Sequence, residues 1–270
     1  MQAHIPQESK PGVTLQLTRK TIVDFQPKIE RRVRIHGSDI LPDGNIVFAG
    51  KRLLMFSNNG NYEKDIVQFT GIPYEVSYTG ENIVGVTIWD KHEVVFVNVI
   101  TNTIINTIYM GHECWGTDFN MNRLAIRVIQ PPTSSHMVYL DPKGKLIDRV
   151  NIPCRNSTSI SLRDDTIKCT DSKANKIYCY KLTGQWICTF KNENVLRKSV
   201  GIALDKNRSV YVAGKGTNNV VVVSPGGKNC RENLTQRDGL NKSYSLRINI
   251  DRNEFLVCNK NGPAFVFSLH

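Results

Sequence analysis

At 270 residues, with 40% hydrophobic and 22% charged residues, the chain has enough apolar material to offset the entropy of ordering one large domain, which excludes an extended disordered chain. Its longest purely aliphatic stretch, Val220 to Val223, is far short of the roughly 20 residues of a membrane-spanning helix, and the N-terminus lacks the apolar core of a secretory leader. A cytosolic location without a membrane partner is therefore expected, and the net charge of +11 points toward RNA or acidic protein surfaces while saying nothing about fold.

Residues 1–12 hold two prolines and little apolar content, so they are expected to form a flexible segment ahead of one domain over residues 13–270. Thr14 to Phe25 is β-rich. After it, a pattern recurs: a tight turn, a short β-rich run, a polar gap and a second run. The turns are Pro42-Asp43-Gly44, Thr79-Gly80-Glu81, Asn120-Met121-Asn122, Arg163-Asp164-Asp165, Asp205-Lys206-Asn207 and Asp251-Arg252-Asn253. Asp, Asn and Gly recur there because they tolerate positive φ or hydrogen-bond their own backbone. The first runs, anchored on Ile46, Ile83, Leu124, Ile167, Val210 and Phe255, are spaced by 37, 41, 43, 43 and 45 residues. The second runs begin at Leu53, Val94, Met137, Ile177, Val220 and Ala264, and most lead into a glycine-bearing turn and a further strand.

A period near 40 with four strands per unit is the pattern of propeller blades, and no segment holds a 3.6-residue apolar period over three turns. The expected fold is all-β: a six-bladed β-propeller of four-stranded antiparallel blades. The sixth repeat stops after its second run, so Thr14 to Phe25 is expected to supply its outer strand and close the ring, removing open sheet edges.

The fifth repeat reads Ser199-Val200-Gly201-Ile202-Ala203-Leu204-Asp205, then Ser209-Val210-Tyr211-Val212-Ala213, then Asn218-Asn219-Val220-Val221-Val222-Val223. This resembles the NHL repeat, with Val200, Gly214 and Asn219 departing from that pattern; the other five repeats match it in outline. Degenerate NHL propellers resemble the C-terminal region of tripartite-motif ubiquitin-ligase proteins. The resemblance implies a substrate-recruiting or RNA-binding module. The RING and B-box domains of that family have no counterpart in this chain, so the transfer chemistry is not expected here.

The seven cysteines include no CxxC pair, and Cys169, Cys179 and Cys258 fall inside apolar runs, as small buried hydrophobes do. No G-x-S-x-G elbow or phosphate-cradling loop occurs, and the six histidines fall in termini or expected loops. Neither a cofactor nor catalytic residues are expected. Calcium-dependent lactonases are also six-bladed, and on the innermost strands Asp39, Glu75 and Asp118 form the nearest approach to an oxygen ligand set. The other three blades offer Ser, Ala and Arg at comparable positions, so backbone hydrogen bonding is the more ordinary expectation.

A propeller sorts its loops onto two faces. Links between blades and loops joining second and third strands share one face, and there the sequence places Arg31, Arg32, Arg34, Lys51, Arg52, Lys91, Arg155, Lys173, Arg197, Lys198, Lys215, Lys242 and Lys260 against only Asp90, Glu113, Asp171 and Glu193. The opposite face is balanced. His36, Tyr74, Trp89, His92, His112, Trp115 and Tyr244 fall on the basic face as well. A protein partner is expected there, since Trp, Tyr and Arg dominate protein-binding surfaces. Single-stranded RNA is the alternative, its bases stacking on rings while lysine and arginine meet phosphates. DNA is not expected.

Overall fold

The computed structural model describes residues 17–25, 34–130, 134–153 and 157–270. The expected flexible segment at residues 1–12 lies outside them. Strand β1 (Leu17–Val23) precedes the first blade, made of β2 (Gly37–Ile40), β3 (Ile46–Ala49), β4 (Arg52–Phe56) and β5 (Tyr62–Gln68). Blade 2 is β6 (Pro73–Gly80), β7 (Ile83–Ile88), β8 (Glu93–Asn98) and β9 (Thr103–Tyr109). Blade 3 is β10 (Glu113–Asn120), β11 (Arg123–Gln130), β12 (Ser134–Leu140) and β13 (Leu146–Asn151). Blade 4 is β14 (Ser157–Arg163), β15 (Thr166–Asp171), β16 (Lys176–Lys181) and β17 (Trp186–Lys191). Blade 5 is β18 (Ser199–Leu204), β19 (Val210–Gly214), β20 (Asn219–Val223) and β21 (Cys230–Leu234). Blade 6 is β22 (Ser243–Asn249), β23 (Glu254–Asn259) and β24 (Ala264–Leu269), with β1 as its fourth strand.

Six four-stranded antiparallel sheets therefore form the ring, and β1 pairs with β24 from Leu17↔Leu269 to Val23↔Ala264. The closure expected from the sequence is present, with the strand occupying the later part of the Thr14–Phe25 segment.

Local chemistry explains the turns. Glu81 and Asn82 (φ 50° and 62°) and Met121 and Asn122 (φ 49° and 59°) are consecutive left-handed pairs, the geometry whose twist matches the flanking strands. Elsewhere an aspartate builds the turn. Asp205 Oδ1 accepts the amides of Asn207 and Ser209, both at 2.8 Å, and Asp141 Oδ1 accepts those of Lys143 and Lys145 at 2.9 and 2.8 Å.

The core is divided among the gaps between blades. Six clusters of buried apolar side chains alternate around the ring, each drawn mainly from two neighbouring blades. The cluster at the closure joins Val23 and Phe25 to Ile46, Phe48 and Phe56 of blade 1 and Leu256 and Val266 of blade 6. Near the axis the blades meet backbone to backbone. A Cβ on Gly201 would lie 2.6 Å from the Tyr244 carbonyl oxygen and 2.8 Å from the Leu246 nitrogen, and Gly37 and Gly116 meet the following blade's inner strand in the same way. Main-chain atoms on the neighbour cannot rotate aside. Gly201→Ala is expected to lower unfolding stability by about 1–3 kcal/mol, measured by urea denaturation; a change below about 0.5 kcal/mol would show that blades 5 and 6 have room to separate.

Candidate functional site on the basic face

Alternation of antiparallel strands places the inter-blade links and the β3–β4, β7–β8, β15–β16, β19–β20 and β23–β24 loops on one face. Arg34 and His36 precede β2, His112 precedes β10, and Arg197 and Lys198 precede β18. Lys242 precedes β22, while Lys173, Lys215 and Lys260 occupy second-to-third strand loops. Trp89 and Lys91 lie in a short 3-10 turn between β7 and β8. Arg155, with Arg31 and Arg32, lies outside the described residues. Arg52 is not a loop residue: it opens β4 and pairs with Asp65 on β5.

The rings form one connected group. Tyr74 and Trp115 meet edge to face with centroids 4.8 Å apart, and Trp89 and Trp115 do so at 5.9 Å. His36 stacks on Tyr74 at 6.1 Å, and the Tyr74 and Tyr244 hydroxyls are 3.2 Å apart. Tyr74 itself is buried, and burial chiefly, then Tyr244, raises its hydroxyl well above the ordinary tyrosine value. Trp115 donates its indole N–H to Glu113 Oε2 at 3.2 Å. These rings pack on one another, the tyrosine and tryptophans edge to face, a structural arrangement worth about 0.5–1.5 kcal/mol per pair beyond burial. Of the sequence's candidate stacking groups, Tyr74 therefore belongs to the scaffold, and Trp89 and Trp115 are half-buried around it.

Positive charge gathers beside this group. The ammonium groups of Lys215 and Lys260 lie 5.5 and 5.7 Å from the centroid of the same Tyr244 ring. Burial and then the charges of Lys260, Lys198 and Lys242 hold the Lys215 ammonium below the ordinary lysine value. His36 is likewise lowered, by burial above all and against its 2.9 Å contact with the Pro73 carbonyl, with Lys260 and Arg34 adding to the effect.

The acids of this face are engaged locally. Asp90 Oδ1 accepts the Ile72 amide at 2.6 Å, and Asp171 Oδ1 accepts those of Lys173 and Ala174 at 3.0 and 2.9 Å. Glu113 takes the Trp115 N–H, and Glu193 pairs with Lys191 at 2.7 Å. Among the described residues, none of the ion pairs involves Lys198, Lys215, Lys242 or Lys260. Glu93 and Glu232, which open β8 and lie on β21, also approach this face; Glu232 Oε1 accepts the Asn219 amide at 2.5 Å.

The channel holds a different arrangement. Asp39, Glu75 and Asp118 do converge, and what they converge on is Arg247. Its Nη2 lies 3.2 Å from Glu75 Oε1 and also donates to the Val76 and Thr117 carbonyls at 3.1 and 2.8 Å, while its Nε is 3.9 Å from Asp39 Oδ1. The guanidinium stands where a ligand set would hold a cation, which is the finding against reading these acids as a metal centre. Each acid is also hydrogen-bonded: Asp39 Oδ2 to the Tyr78 amide at 2.7 Å, Asp118 Oδ2 to the Leu162 amide at 2.7 Å and the Ser161 hydroxyl at 3.0 Å. Burial raises Glu75 to about 8 and Asp39 to about 6, and Asp118 shifts the same way, although Arg247 opposes every shift. For Arg247, burial alone would lower the pKa, and the three acids outweigh it.

Sequence reasoning did not identify Asn175 and Asn218, whose side chains hold the backbone of Lys198 and Lys242; they lie 23 and 24 residues before their partners, a nearly constant offset between successive blades. Arg127 on β11 is wholly buried, its three guanidinium nitrogens have no hydrogen-bond partner among the described residues, and those residues give no reason for a charge there.

No family model matches the sequence, and no curated protein matches it. Among solved structures, a protein of unknown function from Bacteroides thetaiotaomicron is similar with a TM-score of 0.70 at 9% identity, over 95% of this chain and 76% of its own. Virginiamycin B lyase from Staphylococcus aureus is similar with a TM-score of 0.67 at 10% identity, over 95% of this chain and 100% of its own. A streptogramin B lyase has a TM-score of 0.66 at 11% identity, over 92% of this chain and 97% of its own. None of the three is a tripartite-motif protein, and two are enzymes. At these identities the likeness carries the fold alone: the chain is a six-bladed β-propeller, an architecture that serves both binding and catalysis.

Proposed function

We propose that this propeller is a recognition module that recruits a protein partner on its basic face, in the manner of the substrate-recruiting end of a tripartite-motif ligase-like protein, without catalysing a reaction itself. The observation that carries the reading is the gathering of Lys215 and Lys260 beside Tyr244, with the charges of Lys198 and Lys242 acting on Lys215, while the acids of that face are engaged in turns and local pairs. A field of one sign on one face steers a partner of the opposite sign and fixes which way round it docks. Packing of Tyr74, Trp89 and Trp115 against each other leaves fewer open ring faces for nucleotide bases, which favours an acidic protein over RNA.

The test is a binding titration with an acidic polypeptide and with a single-stranded RNA of equal charge, each at low and high salt. Arg197→Glu/Lys198→Glu is expected to weaken polypeptide binding at least tenfold at low salt, whereas Lys181→Glu/Lys206→Glu on the opposite face leaves it within twofold. Equal losses from the two faces would overturn the site, and tighter binding of RNA would replace the protein reading.

A further inference from the structure

Blades 5 and 6 place lysine by the same backbone device. The link into blade 5 sets Lys198 at φ 51° with its amide donating to Asn175 Oδ1 at 2.7 Å; the link into blade 6 sets Lys242 at φ 54° with its amide donating to Asn218 Oδ1 at 2.7 Å. Each of these lysines then accepts, on its carbonyl, the amide of a second lysine in the same blade's second-to-third strand loop. Lys215 donates to Lys198 at 3.2 Å and Lys260 to Lys242 at 3.1 Å. The left-handed region is sparsely used by side chains such as lysine, and single residues held there cost of order 1–3 kcal/mol, a cost that clusters at ligand clamps. In the link that enters the inner strand, blades 5 and 6 both accept it with a lysine.

One lysine of each pair meets the same ring. Lys215 and Lys260 share Tyr244, and burial first, then the charge of Lys260, holds the Lys215 ammonium below the ordinary lysine value. Beside Lys242 the surface is hollowed into a depression of about 270 Å³, lined in part by Asn241, Asn259 and Asn261. The arrangement presents four ammonium groups, amide donors and a ring, with no carboxylate among the described residues paired to any of the four lysines.

We propose that these two lysine pairs form an anion clamp that seats a short acidic segment of a protein partner, its carboxylates bridging Lys215 and Lys260 over Tyr244 and reaching Lys198 and Lys242 at the two ends. The proposal rests on the recognition reading above and narrows it to one sector of the face. Carboxylates relieve the repulsion between the shared ammonium groups and receive charge-assisted hydrogen bonds, which are shorter and stronger than neutral ones. Tyr244 gives the segment's methylene groups a flat surface to cover.

A fluorescein-labelled twelve-residue peptide of alternating Asp and Gly, titrated by anisotropy, tests it. Lys215→Gln/Lys260→Gln is expected to weaken binding at least tenfold. Lys51→Gln/Lys91→Gln, two exposed lysines of the same face in blades 1 and 2, is expected to weaken it no more than about twofold. Lys215→Arg/Lys260→Arg, which keeps both charges, is expected to stay within threefold of the parent. Equal losses from the two glutamine pairs would overturn the clamp and leave the basic face intact as a diffuse docking surface. No loss from either pair, or no peptide binding at all, would overturn the clamp and the recognition reading together. A single-stranded RNA of equal charge that binds tighter than the peptide and loses more on Lys215→Gln/Lys260→Gln would overturn the acidic peptide as occupant.

Discussion

Arg247→Met is expected to cost about 3–5 kcal/mol of unfolding stability at pH 8, because it removes one partner of a buried charged group and leaves the others uncompensated. In the parent, Arg247 is the cation facing Glu75, Asp39 and Asp118 on three other blades. The pH dependence gives the mechanism away. Glu75 is raised to about 8 and Asp39 to about 6, chiefly by burial, and Asp118 is raised too. In the folded chain each keeps its proton at a pH where the unfolded chain, with carboxyls near about 4, has released it. The unfolded state then binds fewer protons, so the stability contributed by this cluster is present below about pH 4 and is lost as pH rises through 6 and 8. Without Arg247 that slope should steepen. The Met variant is therefore expected to approach the parent at pH 5 and to diverge from it at pH 8. Glu75→Gln removes the group with the highest value and should flatten the parent's decline between pH 5 and 8. Urea denaturation across that range checks both; a loss in Arg247→Met that is independent of pH would show that the arginine acts by packing.

Phe25→Ala is expected to be the second large effect, at about 3–5 kcal/mol, the range for removing a buried phenylalanine. Phe25 follows the closing strand and packs edge to face on Phe48 at 4.8 Å and Phe56 at 5.3 Å, so it fastens the strand of blade 6 to the core of blade 1. Its removal loosens the ring at the point where β1 closes it. Arg19, which lies 5.0 Å above Phe265, and Lys20, paired with the buried Glu254, add smaller contacts on the same strand. A loss below about 1 kcal/mol in denaturant would mean that β1 is held by its ladder and the aromatic seal is dispensable.

The repeats were legible because each blade states its own turn: Asp205 and Asp141 cap their hairpins with the side chain, and Glu81–Asn82 and Met121–Asn122 take positive φ. Register was less so. Ile83 opens β7 opposite Gly80, and its counterpart in blade 3 is Arg123 opposite Asn120, one residue before Leu124. Apolar runs of similar composition hide a shift of one, which in a strand reverses the face. In the site, the gathering of lysines on one face was readable from loop order. The sharing of Tyr244 by Lys215 and Lys260 was not, since it joins loops of two blades to the start of an inner strand. Arg247 was visible as a residue on an inner strand, but its partners Asp39 and Glu75 come from blades at the far end of the sequence. Burial of Tyr74 was hidden for a related reason: residues at the start of an inner strand can tilt toward the face or into the ring of neighbours, and local sequence does not separate the two.

The pairing of Leu17 with Leu269 also orders events in time. During synthesis β1 emerges before any blade, yet its partner strand is made roughly 250 residues later, on the order of ten to fifty seconds at ribosomal speed. Through that interval Val23 and Phe25 can rest only on blade 1, and the apolar residues they later share with blade 6 do not yet exist. The ring cannot close vectorially, blade after blade; its last step is a capture of the oldest strand by the youngest. A chaperone acting on this chain would have most to do at that late step, when five blades stand assembled and the gap for the sixth is open.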